Sequence, residues 1–107
     1  MMLRLRQICL VSQELSPAVE VFSDVFGLAS CFHDPAVGAY GLENALLPVG
    51  TNFLEVVAPV QESTAAGRYL QRRGGAGGYM VILQCDDVEA RRARMGVLDV
   101  RIANPLN

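Results

Sequence analysis

Gly41-Leu42-Glu43-Asn44-Ala45-Leu46-Leu47-Pro48-Val49-Gly50-Thr51-Asn52-Phe53-Leu54-Glu55-Val56-Val57 is the stretch on which the reading of this chain turns. It predicts two strands, over residues 44–49 and 52–58, joined by a tight Gly50-Thr51-Asn52 turn. Side chains alternate along a strand, so Phe53, Glu55 and Val57 share one face. Glu55 is the anomaly. A carboxylate on an otherwise apolar face needs a partner, a metal or a proton, because an unpaired buried charge is strongly unfavourable.

Outward from this hairpin the chain is a series of short, well-punctuated elements. Leu3 to Val11 alternates as a strand, with Leu3, Leu5, Gln7, Cys9 and Val11 on one face and Arg4, Arg6, Ile8 and Leu10 on the other. Ser16 is placed to cap a helix with Pro17 at its first position; Ala18, Val21, Phe22, Val25 and Phe26 form its apolar stripe, and Gly27 ends it. Leu28 to His33 reads as a strand, followed by a connection over Asp34 to Gly41. After the hairpin, Pro59 stops the sheet and Ser63 to Arg73 reads as a second helix. Tyr79 to Cys85 is a further strand. Asp86 opens a short helix with Glu89 at capping-box spacing, Gly96 closes it, and Leu98 to Ile102 reads as a last strand. The order is β-α-β-β-β, a connecting helix, then β-α-β. The two halves begin alike, which suggests an internal duplication. A ferredoxin-like α+β sandwich shares the same start and is the competing architecture.

Composition bounds the function. At 107 residues the chain is one domain. Residues of hydrophobic type make up 51%, enough for a core, and the net charge of -2 gives no basic face for nucleic acid. Every cationic side chain other than the histidine is arginine. That rules out a lysine Schiff base and fits a GC-rich bacterial genome. Cys9, Cys31 and Cys85 lie far apart in apolar runs without metal-type spacing, and read as free thiols of a reducing compartment. No run approaches the roughly 18 apolar residues of a membrane span, and the N-terminus lacks a signal-peptide core, so a soluble cytoplasmic protein is expected.

The Asn44 to Val57 stretch resembles the glyoxalase-like domains of the vicinal oxygen chelate superfamily, which includes glyoxalase I, extradiol dioxygenases and the bleomycin-resistance proteins. There, a strand of the type Asn-Ala-Leu-Ile-Pro leads into a strand of the type Tyr-Leu-Glu-Leu. Gly78 to Gly96 is similar to the start of the family's second module. The resemblance implies an α+β fold: a complete βαβββ module over residues 1–60, a connecting helix and glycine hinge over 61–78, and a shortened second βαβ unit over 79–107. A curved sheet with helices on its outer face would enclose a ligand. The resemblance also implies a divalent metal site, with ligand positions falling on Gln7, Glu55 and Met80 and a fourth beyond Asn107. A thioether suits such a metal poorly, so the expectation is a metal held weakly or not at all.

Glu55 is accordingly the candidate metal ligand or general base, and Gln7 its partner ligand. His33, the only histidine, stands at a strand end and is a second catalytic candidate. Asn44, Tyr79 and Met80 are candidate substrate contacts. Each also has a plainer reading: Glu55 paired with arginine or backbone donors, Gln7 satisfied between strands, His33 and Asn44 serving turns, Tyr79 in the core. Gly74 to Gly78 lie between a helix and a strand, the wrong order for a phosphate cradle, and read as a hinge. Arg91, Arg92 and Arg94 read as a solvated helix face.

Three functions compete on these residues. The first is a metal-dependent lyase, isomerase or dioxygenase of the glyoxalase type, acting on a small oxygen-bearing metabolite. The second is a metal-free binding protein of the bleomycin-resistance kind. The third is a degenerate module kept for assembly. A half-built second unit with an open strand edge further implies a homodimer, with exchange of the last unit between chains through the glycine hinge.

Overall fold

The computed structural model describes residues 2–28 and 32–103 of the chain. Its elements are β1 (Leu3–Val11), α1 (Leu15–Phe26), a 3-10 helix (Pro35–Tyr40), β2 (Leu42–Val49), β3 (Asn52–Pro59), α2 (Ala65–Arg73), β4 (Gly77–Cys85) and α3 (Val88–Val97). The fold is α+β, as the sequence implies. The four strands form one curved, open sheet in the order β2-β3-β1-β4.

The β2–β3 hairpin is antiparallel, from the Leu42–Pro59 pair to the Val49–Asn52 pair. Its turn is the dipeptide Gly50-Thr51. Gly50 takes φ 59°, a left-handed conformation that glycine adopts without steric cost and that matches the twist of the flanking strands. β3 then lies parallel to β1, with Gln7 opposite Phe53 and Cys9 opposite Glu55. β4 runs antiparallel along the other side of β1 and forms an edge of the sheet.

The sheet buries a different cluster on each face. On one, Leu15 of α1 packs with Ala45, Leu47, Val56 and Ala58, flanked by Ala18, Val19 and Phe22. On the other, which we call the inner face, Cys9, Val11 and Val57 pack against Ala66 and Leu70 of α2. α2 begins where Thr64 Oγ1 accepts from the Gly67 N–H at 2.9 Å, and it ends at Gly74.

Several expected details are corrected. α1 starts two residues before Pro17, with Glu14 at the cap and no side-chain capping bond. Pro17 still sits in the first turn, where its missing N–H has no intrahelical partner to lose. The buried stripe is Leu15, Ala18, Val19 and Phe22, at the i, i+3, i+4, i+7 spacing. Val21, Val25 and Phe26 of the expected stripe are largely exposed instead. Of the strand expected over Leu28 to His33, residues 29–31 lie outside the described residues. Phe32 makes a single antiparallel bridge to Leu46. α3 is capped by Asp87, whose Oδ1 accepts from Arg91 Nε rather than closing a capping box. The helix runs through Gly96 to Val97, and no strand forms over Leu98 to Ile102, where a turn at residues 98–99 gives way to irregular chain. The apolar residues there remain exposed, with no neighbouring strand to pair with.

The burial contrast on the α1 side is testable. Leu47 has no solvent exposure, so Leu47→Ala should lower stability by about 2–5 kcal/mol. Val25 is 69% exposed, and Val25→Ala should change it by less than about 0.5 kcal/mol. Urea unfolding of the two variants measures both.

Candidate functional site on the inner face

Glu55 does not stand alone. Gln7 Nε2 donates to its Oε1 at 2.7 Å, and Asn44 Nδ2 donates to its Oε2 at 2.7 Å. The three side chains come from adjacent strands. Glu55 lies at the centre of the sheet on β3, Gln7 on β1 and Asn44 on β2. Asn44 is directly opposite Val57, so it reaches Glu55 along the diagonal. The trio is almost closed to solvent, with Gln7 8%, Asn44 2% and Glu55 5% exposed. Hydrogen bonds to a charged acceptor are worth about 1.5–3 kcal/mol each, and here both carboxylate oxygens receive one. This is the partner that the lone carboxylate required.

The clamp is itself held. Asn44 Oδ1 accepts from the Asp34 N–H at 2.8 Å, and His33 Nδ1 lies 2.6 Å from the Asn44 carbonyl oxygen. A carbonyl only accepts, so Nδ1 carries the proton in this contact. Asp34 caps the 3-10 helix through Oδ1 to the Ala36 N–H. The ring of His33 therefore supports Asn44 from outside the cluster.

Arg6 enters the same arrangement through a break in strand register. β1 pairs Leu5 with Leu83 and Gln7 with Ile82, leaving Arg6 as an extra residue, a β-bulge. Arg6 and Gln7 both oppose Ile82, and Arg6 Nε donates to Gln7 Oε1 at 3.3 Å. The expected alternation fails here. The register shift lies between Leu5 and Gln7, and a cleft of about 490 Å³ lined by Leu5, Ile8, Leu54 and Phe26 also reaches Gln7. A second irregularity falls between Cys9–Met80 and Leu10–Gly78, so Tyr79 is the extra residue on β4. Tyr79 packs against Tyr69 of α2 with ring centroids 5.1 Å apart and the rings tilted by 46°, a core contact. Met80 lies opposite Cys9 and is half exposed.

Cys9 has no solvent exposure. Burial first, and the neighbouring Glu55 carboxylate second, push its thiol from 9.0 up to about 12. The thiol is thus held protonated and non-nucleophilic.

As a metal centre the donor set does not fit. Two oxygen ligands, Gln7 and Glu55, supply a minority of the positions a hard cation needs. They are already bonded to each other, and the Gln7 oxygen is engaged by Arg6. Among the described residues no group of three or more His, Cys, Asp or Glu side chains comes together.

Comparison with solved structures sets this geometry in context. A methylmalonyl-CoA epimerase in complex with methylmalonyl-CoA and NH4+ superposes with a TM-score of 0.85 at 21% identity, over 97% of this chain and 75% of that one. The Streptomyces coelicolor methylmalonyl-CoA epimerase in complex with 2-nitronate-propionyl-CoA gives 0.84 at 22%, over 94% and 75%. The enzyme from Mycobacterium tuberculosis gives 0.76 at 25%, over 91% and 65%. The chain has the vicinal oxygen chelate fold. The resemblance seen in the sequence is borne out at that level, and the competing ferredoxin-like reading falls. No protein-family model and no curated protein matches the sequence. No helix among the described residues is long and apolar enough to cross a membrane.

Of the sequence candidates, Gln7, Glu55 and Asn44 converge, His33 supports them, Met80 lies across from Cys9, and Tyr79 packs under α2. The residue that sequence reasoning missed is Arg6. Strict alternation sends it to the opposite face, and only the pairing with β4 reveals the bulge.

The Cys9 thiol gives a pH test. A thiol with a raised folded pKa favours the folded state fully below the unfolded value of 9.0 and loses that advantage as pH rises toward about 12. Stability should therefore fall above pH 9, by up to about 1.4 kcal/mol per pH unit. In Cys9→Ala that fall should be visibly shallower, as read by urea unfolding at pH 8, 9 and 10.

Proposed function

We propose that the protein acts on a small oxygen-bearing metabolite at the inner face, with Glu55 as the base that takes a proton from the carbon beside a carbonyl. The observation that carries this reading is the clamp itself. A buried carboxylate is held in one orientation by two N–H donors from adjacent strands, with lone pairs left over to receive a proton. The substrate class we favour is the coenzyme A thioester of a short dicarboxylic acid, because one similar solved structure is a complex with methylmalonyl-CoA and another a complex with 2-nitronate-propionyl-CoA. In this reading Met80 forms part of the apolar wall beside the thioester. Gln7 and Asn44 orient the base, and His33 acts by holding Asn44. In this reading the first module spans residues 1–60 and the connector follows from residue 61, its last glycines, Gly77 and Gly78, already pairing in β4.

The step is a proton transfer. The C–H electron pair passes into the carbonyl as an enolate and the proton rests on Glu55; its return to the same face regenerates the substrate, and a solvent-derived proton added to the opposite face completes an epimerisation. A base at this position contributes about 10²–10⁴-fold.

One observation favours a second reading, metal-free binding without turnover: the clamp leaves neither Glu55 oxygen wanting a partner. We also infer a homodimer, since β4 is an edge strand with Val81 68% and Leu83 56% exposed and α3 buries no residue.

The deciding measurement is proton NMR of methylmalonyl-CoA with the protein in D2O. Loss of the C2 proton signal, slowed at least about 100-fold in Glu55→Gln, is the expected result. Binding without exchange would establish the second reading, and no binding would remove both.

A further inference from the structure

We propose that Arg6 is the resident cation of this site. Its Nε holds the Gln7 amide in register, and its outer guanidinium edge receives a carboxylate of the ligand, where a metal-dependent site would carry an ion. The inference deepens the reading above, from which it takes the dicarboxylate class.

Four observations support it. The bulge in β1 brings Arg6 to the Gln7 side of the sheet. The Arg6 Nε to Gln7 Oε1 contact of 3.3 Å engages the one Gln7 atom that could ligate a metal, while the amide nitrogen is engaged with Glu55. Arg6 is exposed, so its outer edge is open to a ligand approaching the buried carboxylate. The ion pairs among the described residues are Arg91–Asp87 and Arg92–Glu89, so Arg6 is in neither. Arg4, two residues earlier, is different. Its Nη2 donates to the Thr51 carbonyl at 2.7 Å and to Asn52 Oδ1 at 2.9 Å, which commits it to the hairpin turn.

The chemistry of the guanidinium suits the role. A guanidinium spreads its positive charge over a planar N–H fork that matches the two oxygens of a carboxylate. It is also less strongly hydrated than an ammonium, so it can bind an anion at the edge of a buried site. An arginine here would place the substrate carboxylate beside the Gln7–Glu55 pair without requiring a coordination shell that this chain does not assemble.

Malonate is the probe, with neutral malonamide as its uncharged counterpart, titrated by calorimetry in metal-free buffer. Wild type should bind malonate at least about tenfold more tightly than malonamide, equivalent to about 1.4 kcal/mol. Arg6→Gln should lose that preference, while Arg6→Lys keeps part of it. Arg4→Gln, with the same change in net charge, should keep it in full, which separates a local contact from a general loss of positive charge. Equal malonate binding by wild type and Arg6→Gln would overturn the proposal. So would failure of wild type to bind malonate, or binding that appears only when Mn2+ or Co2+ is added. If malonate behaves as expected but methylmalonyl-CoA neither binds nor exchanges, the thioester reading fails and the role of Arg6 stands.

Discussion

The carboxylate of Glu55, shared between the amides of Gln7 and Asn44, is the interaction on which the inner face depends. There, side chains from β1, β3 and β2 meet through buried hydrogen bonds. Removing either amide would leave a charged oxygen short of a donor in a nearly dry setting, where an unpaired polar group carries a penalty of about 1–3 kcal/mol. The clamp thus does two things at once. It makes a buried charge tolerable, and it fixes the direction in which that charge points. A site built this way is preorganised by the sheet, not by loops.

The sheet allows the arrangement because its two faces are treated differently. α1 covers one face with an uninterrupted apolar cluster. α2 covers only the Cys9–Val11–Val57 end of the other. The polar trio lies beside that second cluster, next to a thiol that burial keeps protonated. A larger cleft, about 880 Å³, lies elsewhere, along α2 and the segment leading into it. It contains none of the converging residues. Chemistry here follows the paired side chains, not the size of the opening.

How much of this could be read from the sequence depends on how local the cause is. β3 was legible because simple alternation governs it, and Glu55 stood out as a charge out of place. The hairpin was legible from Gly50. Gln7 was reached by parity plus resemblance, and the parity argument worked only because it starts from Gln7 and runs toward Val11. Extended backward to Leu5 it fails at the Arg6 bulge, which arises from pairing with a strand more than seventy residues away. The rotation of α1 was missed because Val21, Val25 and Phe26 fit a helical period as well as Leu15, Val19 and Phe22 do. Only the sheet decides which stripe is buried. The Leu98 to Ile102 strand was a matter of composition alone, and composition cannot supply a neighbouring strand.

The two halves of the clamp differ in how far the chain must travel to make them. Asn44 and Glu55 are separated by 11 residues, within one hairpin, whereas Gln7 and Glu55 are separated by 48 and meet only through the parallel β1–β3 pairing. Closing the longer loop is entropically less favourable by about 1 kcal/mol, and contacts distant in sequence form late in folding. The hairpin can therefore carry Glu55 with one amide in place before β1 arrives. Docking of β1 brings the second amide and Arg6 together, so the carboxylate acquires its final surroundings in the same event that completes the sheet.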